Sequence, residues 1–173
     1  MAKNLAMSIK NVEPTMQIAL AHNFDNVDST LFDVLINVPF ESYNTNGQVE
    51  FIKVKTWMYD LSPFQQTLFL DVDMVWLFKK QPTELFNECN GLAWTMSNTG
   101  LAETSIWADI REIRKIYPNS QMWNYHSECV YFEKCEKSKT YFDRVKSIYE
   151  NPPLQGTNFG GARIADELAF QLA

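Results

Sequence analysis

The chain has 173 residues, a net charge of −6 and an apolar fraction of 46%. This length suits one domain over residues 1–173, and the apolar content argues against disorder. The basic residues are scattered, which argues against a nucleic-acid surface. No apolar run has the length of a signal peptide or a membrane span, and the three cysteines form no CxxC pair. We therefore expect a cytoplasmic protein with reduced thiols and no membrane span.

Taken in chain order, the sequence alternates between helical and extended patterns. The apolar spacing predicts helices over residues 2–11, 48–61, 82–89, 105–117, 137–149 and 162–173. It predicts strands over residues 15–22, 67–72, 91–97 and 127–134. The stretch 29–38 is ambiguous, and the Pro- and Gly-rich stretch 151–161 reads as a loop. Strands that alternate with helices predict an α/β fold with a mostly parallel central sheet and helices on both faces.

Two carboxylates, Asp71 and Asp73, follow the apolar run that begins at Thr67. Ligands of open α/β sheets collect at the carboxyl ends of strands, and side chains two apart in extended chain point the same way. Two neighbouring carboxylates repel each other, and a divalent cation removes that repulsion. The pattern is therefore compatible with a Mg²⁺ or Mn²⁺ site. The alternative is that one aspartate caps a turn and the other is solvated.

A longer segment, KVKTWMYDLSPFQQTLFLDVDMVWL at residues 53–77, contains this pair. It resembles the core of metal-dependent nucleotide-sugar transferases with the GT-A fold, and glycogenin-like members in particular. Three later segments are similar to further motifs of that family, in the same order: GLAWTMS at 91–97, HSECVYF at 126–132 and GGARIADELAF at 160–170. The resemblance covers roughly residues 3–172 and implies a GT-A domain that is shortened at both ends.

The resemblance implies transfer of a hexose from a nucleotide-sugar, with a UDP-sugar as the expected donor, to an unknown acceptor. Glycogenin-like members retain the anomeric configuration, so retention is expected. Asp71 and Asp73 would bind Mn²⁺ or Mg²⁺, which would bridge the donor diphosphate. Lys55, which lies sixteen residues before Asp71 as in the family, would approach the diphosphate or the donor sugar as a point charge.

The resemblance also implies roles for residues later in the chain. Asp166 would hydrogen-bond the transferred sugar, and we group it with Glu167 as the catalytic pair. The chain differs from the family pattern at three positions, where His126 stands for Asn, Glu128 for Gly and Glu167 for Gln. We keep His126 as a donor-binding residue, because a neutral imidazole can donate a hydrogen bond.

Two other functions are compatible with the same residues. The chain could be a non-catalytic or degenerate domain that binds a nucleotide-sugar or serves as an interaction module. It could also be a haloacid-dehalogenase-type phosphatase, in which an apolar strand ends in a nucleophilic Asp and an acid/base Asp. Against the phosphatase, the aspartate pair lies far from the start of the chain, and the sequence contains no GDxxxD.

Overall fold

The computed structural model describes residues 1–38, 44–45, 48–49, 51–77, 79–101, 107–156 and 164–173. Within these ranges the chain is mixed α/β, and no helix is long and apolar enough to cross a membrane. The helices are α1 Ala2–Val12, α2 Phe51–Thr56, α3 Met58–Leu61, α4 Pro82–Glu88, α5 Ile110–Ile116, α6 Glu136–Glu150 and α7 Asp166–Leu172, with a 3₁₀ turn at Ser29–Leu31. The strands are β1 Ala19–His22, β2 Val34–Asn37, β3 Asn44–Thr45, β4 Gln48–Val49, β5 Gln66–Leu70, β6 Trp94–Leu101 and β7 Trp123–Glu133.

The strands that the structure describes form three small sheets. β1 and β2 pair in parallel, β3 and β4 form an antiparallel pair, and β5, β7 and β6 form a three-stranded sheet in that order. Both pairings in the three-stranded sheet are antiparallel, with Leu70 opposite Cys129 and Ser97 opposite His126. Mixed α and β content is therefore confirmed, but a mostly parallel central sheet is not among the described pairings. An apolar run indicates burial but does not determine strand direction. Here β7 is antiparallel to both β5 and β6.

The core lies on one face of β7, against the last two helices. Val130 and Phe132 are fully buried on that face, and they join Phe142 and Val145 of α6 and Leu168 of α7 in one cluster. Tyr131 points to the opposite face, where its ring meets the ring of Phe86 from α4 at 5.8 Å. Helices therefore contact both faces of β7.

Element boundaries differ from the predictions where pairing or capping decides them. β6 and β7 extend beyond the predicted 91–97 and 127–134 because they pair with each other as far as Leu101 opposite Trp123. α5 starts later than predicted, because the side chain of Asp109 accepts a hydrogen bond from the Arg111 N–H at 2.9 Å and caps it. The parts of the predicted segments at 102–106 and 157–163 lie outside the described residues.

The segment that carries Lys55 and the aspartates departs most from prediction. Residues 48–61 do not form one helix. β4 occupies the start, and α2 and α3 are separated at Trp57, whose N–H donates to the Val54 carbonyl at 3.0 Å. The predicted strand 67–72 ends at Leu70. The Met74 N–H donates to the Asp71 carbonyl at 3.1 Å, so the two aspartates occupy a turn rather than extended chain.

Candidate functional site

A cluster of charged side chains forms where β5 ends beside α2 and α7. The Lys55 Nζ donates a hydrogen bond to Asp71 Oδ2 at 2.7 Å and lies 3.7 Å from Asp166 Oδ2. It also donates to the Ser127 hydroxyl at 3.4 Å. We call Lys55, Asp71, Ser127 and Asp166 the lysine cluster. It joins α2, the end of β5, β7 and the first residue of α7, which are distant in sequence.

Backbone pairing fixes the position of Asp71 in this cluster. The Asp71 N–H donates to the Glu128 carbonyl at 3.0 Å, which continues the β5–β7 pairing one residue beyond Leu70. The turn that follows carries Asp73 into solvent, whereas Asp71 stays partly buried. The prediction of extended chain through the two aspartates is therefore wrong, because a turn begins at Asp71.

Acidic groups outnumber the lysine at this point, and the pKa values reflect that excess. Burial lowers the pKa of Lys55, but the carboxylates of Asp166, Asp71 and Glu167 outweigh it and raise the pKa overall. The pKa of Asp71 is also raised, because its burial outweighs the attraction of Lys55 and the charges of Asp73 and Asp166 oppose ionisation. An ion-paired aspartate usually shows a lowered pKa. Here burial is the largest cause and raises the pKa of Asp71, and the hydrogen bond from Lys55 offsets only part of that increase.

Asp166 is the most enclosed acid of the cluster. Its side chain is 9% exposed, and its Oδ2 atom makes no hydrogen bond with any residue that the structure describes. A buried carboxylate oxygen without a hydrogen bond is costly unless a cation or a polar ligand group approaches it.

A groove of about 1520 Å³ opens beside the lysine cluster. Its lining includes Lys55, Asp71 and Asp73, together with residues of α1, β1 and β5 and of the loops that adjoin them. The volume exceeds the several hundred cubic ångströms that a small-molecule site needs. The groove can therefore hold a ligand of nucleotide size with its charged end at Lys55 and Asp71.

A second group of polar side chains lies where β7 meets the start of α7. One potential ligand atom each from His126, Glu128 and Glu167 lies within 4.8 Å of the others, and all three residues are partly buried. We call these three the histidine cluster. The His126 Nδ1 is 3.6 Å from Glu167 Oε1. The Trp107 indole N–H donates to the other oxygen, Glu167 Oε2, at 2.6 Å.

The electrostatics of the histidine cluster are set mainly by burial. Burial raises the pKa of Glu167, and the hydrogen bond from Trp107 partly offsets that increase. The neighbouring charges of Asp166 and Glu128 raise it further, while His126 lowers it. None of the three members of the cluster is among the described residues that line the groove.

The structure thus places the predicted site residues in two neighbouring groups. Lys55, Asp71 and Asp166 come together, and Asp73 lies at the turn beside them. His126 and Glu167 lie in the histidine cluster.

Sequence reasoning assigned no role to three residues that contact these groups. Ser127 accepts a hydrogen bond from Lys55, Trp107 donates to Glu167, and Glu128 joins the histidine cluster. Glu128 had only a weak signal, because it lies two residues from His126 but the predicted strand 127–134 did not include His126. Trp107 had none, because its spacing indicated only an apolar helix face.

Comparisons with known proteins identify no relative. No protein-family model matches the chain, and no curated protein or solved structure matches it significantly.

Proposed function

We propose that the protein is a metal-dependent glycosyltransferase that moves a hexose from a nucleotide-diphosphate sugar to an acceptor. The observation that carries the proposal is the convergence of Lys55, Asp71 and Asp166 beside a groove of about 1520 Å³. The resemblance described above assigns those three residues to one donor site. Their convergence from separate parts of the chain supports that assignment.

The acidic character of the lysine cluster supports a requirement for a cation. Lys55 is the only cation that the described residues place within 4.0 Å of Asp71 and Asp166. A diphosphate cannot approach these carboxylates favourably unless more positive charge is present. Asp71 and Asp73 would hold Mn²⁺ or Mg²⁺, and the ion would neutralise the charge on the diphosphate leaving group.

The remaining residues of the cluster have roles in orientation and charge balance. Lys55 would turn from Asp71 toward the phosphate oxygens, where its ammonium group stabilises the charge of the departing nucleoside diphosphate. Asp166, whose Oδ2 makes no hydrogen bond within the described residues, would accept one from a sugar hydroxyl. Glu167, the residue after Asp166, would lie beside the transferred sugar, on the side of either the acceptor or the donor. Retention of configuration is the expected outcome.

The test is a binding and turnover assay with one matched pair of variants. Wild-type protein is screened by thermal shift against UDP, other nucleoside diphosphates and their sugars, with and without Mn²⁺. Ligand at 100 times its Kd should stabilise the fold by about 2.7 kcal/mol. Asp73→Asn should abolish the part of the thermal shift that requires both Mn²⁺ and a nucleoside diphosphate, and it should abolish the release of nucleoside diphosphate. Asp73 is exposed, so this change should leave the melting temperature of the free protein unchanged.

Asp25→Asn is the control, because it removes an equal charge from another exposed aspartate. Donor binding without turnover would favour the non-catalytic binding domain instead. One observation favours that alternative, since Lys55 already neutralises part of the charge of Asp71. A flat screen combined with hydrolysis of a phosphate monoester would favour the phosphatase and contradict the transferase proposal.

A further inference from the structure

The histidine cluster combines an imidazole with two carboxylates at short range. His126 and Glu128 lie two apart on β7, and Glu167 reaches them from the first turn of α7. It is the one group of three potential metal ligands that the described residues bring together. We propose that His126, Glu128 and Glu167 bind one divalent transition-metal ion of the Zn²⁺, Mn²⁺ or Co²⁺ class, at a site separate from Asp71 and Asp73.

The separations within the cluster approach those of a metal site. Two ligand atoms that are each about 2.1 Å from a tetrahedral ion lie about 3.4 Å apart. The His126 Nδ1 and Glu167 Oε1 are 3.6 Å apart. The widest separation in the cluster is at most 4.8 Å, and a rotation of a glutamate side chain would close the difference. Three protein ligands leave a fourth position for water or for a substrate group.

Trp107 holds Glu167 in the orientation that such a site needs. Its indole N–H donates to Glu167 Oε2 at 2.6 Å, which leaves Oε1 directed toward His126. Carboxylate ligands of metal ions are commonly oriented by a hydrogen bond to their second oxygen. The hydrogen bond therefore reduces the freedom that Glu167 would lose on binding an ion.

The two ring nitrogens of His126 have different surroundings. The ring nitrogen Nε2 is inaccessible to solvent and makes no hydrogen bond within the described part of the chain. The Nδ1–Glu167 separation of 3.6 Å is also too long for a hydrogen bond. Nδ1 faces Glu167 without a hydrogen bond to it, so Nδ1 is the nitrogen that would coordinate the ion. The buried Nε2 lies on the other side of the ring and would not contact that ion.

The ligand set indicates which ions would bind. An imidazole nitrogen with two carboxylates suits borderline first-row ions, whereas Mg²⁺ and Ca²⁺ prefer sites made wholly of oxygen. The two glutamates would neutralise the charge of the ion. The three residues are also the positions where the chain differs from the glycosyltransferase pattern, so the pattern itself assigns them no metal. The site needs no nucleotide and does not depend on the function proposed above.

The experiment is a titration of metal-free protein with Co²⁺ alone, in the absence of nucleotide. We expect one Co²⁺ per chain, the visible absorption of low-coordinate Co²⁺, and displacement by Zn²⁺. Glu167→Gln should weaken Co²⁺ binding at least tenfold while its amide oxygen still accepts the Trp107 hydrogen bond. Glu128→Gln, at a partly exposed position, should weaken Co²⁺ binding by a similar factor. This second variant tests the site if Glu167→Gln does not fold.

Two control variants separate this site from other carboxylates. Glu136→Gln removes an exposed glutamate from α6 and should leave the Kd for Co²⁺ within about twofold of the wild type. Asp73→Asn should do the same, because it alters only the aspartate pair. A titration without spectral change, or Co²⁺ binding that is lost in Asp73→Asn and kept in Glu167→Gln, would overturn the proposal. Cysteine ligation would overturn it as well and would show as thiolate charge-transfer absorption.

Discussion

Lys55 should contribute to stability because two enclosed carboxylates depend on it for their neutralisation. Its Nζ is 2.7 Å from Asp71 Oδ2 and 3.7 Å from Asp166 Oδ2, and the three side chains are 24%, 24% and 9% exposed. The substitution Lys55→Met keeps an unbranched side chain of nearly the same length and removes the ammonium group, with its charge and its hydrogen bonds to Asp71 and Ser127. It leaves both aspartates facing each other without a cation within 4.0 Å among the described residues.

The magnitude follows from the distances and from the exposure of the three groups. At an effective dielectric constant of about 20, the gross attractions are about 6 kcal/mol for the shorter contact and about 4.5 kcal/mol for the longer one. Desolvation of the charges offsets most of this sum. Removal of one partner from a fully buried pair costs about 3–5 kcal/mol. Because Lys55 and Asp71 are each 24% exposed, we expect a loss of about 2–4 kcal/mol.

The assay is chemical denaturation followed by circular dichroism, with a thermal melt beside it. For a chain of this size, the loss corresponds to a fall in melting temperature of roughly 5–12 °C. The matched control is Lys53→Met on the same helix. Lys53 pairs with Glu150 at 2.7 Å, and Glu150 is 35% exposed. Solvent can therefore stabilise Glu150 after its partner is removed, and the control should lose less than about 1 kcal/mol.

A double variant tests the cause of the loss. Adding Asp71→Asn to Lys55→Met removes one of the unpaired charges, so it should recover about 1–2 kcal/mol. Mn²⁺ should stabilise Lys55→Met more than the wild type, because metal binding to Asp71 no longer requires the Lys55–Asp71 ion pair to break. A loss equal to that of Lys53→Met, or a double variant no more stable than Lys55→Met, would refute the reasoning.

Two further predictions concern parts of the molecule away from the site. Asp33 Oδ2 accepts hydrogen bonds from the Ile18 N–H at 2.8 Å and from Lys10 Nζ at 3.0 Å, and the pKa of Asp33 is lowered mainly by the first. The stabilisation is therefore present above the usual pKa of 3.8 and disappears as the pH falls through the lowered value. Asp33→Ala should cost about 0.5–1.5 kcal/mol at neutral pH and little at acid pH, and an equal cost at both would contradict this. Cys135 is exposed, and hydrogen bonds from Ser138 lower the pKa of its thiol, whereas burial raises the pKa of the other two cysteines. Limited alkylation followed by mass spectrometry should label Cys135 first, and earlier labelling of another cysteine would be inconsistent with the structure.

The sequence predicted helices best where an apolar stripe repeats over several turns. α1 and α6 lie close to the predicted 2–11 and 137–149, because their buried residues recur at helical spacing. The prediction failed between residues 48 and 61, where the same spacing spans β4, α2 and α3. Short helices are set by tertiary packing, which a local pattern does not contain.

Strand direction was the largest error in the fold. The apolar run in β5 was taken as a sign of a parallel sheet, but β5 is paired with the antiparallel β7. An apolar run such as that of β5 is compatible with either direction of pairing. The direction depends on how the chain returns between Leu101 and Trp123, and part of that return lies outside the described residues.

The lysine cluster was predicted only from the resemblance to nucleotide-sugar transferases, because no local sequence pattern connects Lys55 with Asp166. The histidine cluster follows from two local facts and one distant one. Ser127 contacts Lys55, whereas His126 and Glu128 on either side of it belong to the other cluster. Strand alternation predicts such a division, but the predicted strand began at Ser127 and did not include His126.

The distant fact is the position of α7. Its first two residues divide between the clusters, since Asp166 faces Lys55 and Glu167 faces His126. The lysine cluster contains a permanent cation, whereas the histidine cluster contains only an imidazole whose charge depends on its protonation. Two half-buried glutamates beside one imidazole therefore carry the less compensated negative charge. The first turn of α7 thus places Asp166 near the ammonium group of Lys55 and Glu167 near His126. In the second case a bound metal ion would provide the positive charge that Lys55 provides in the first.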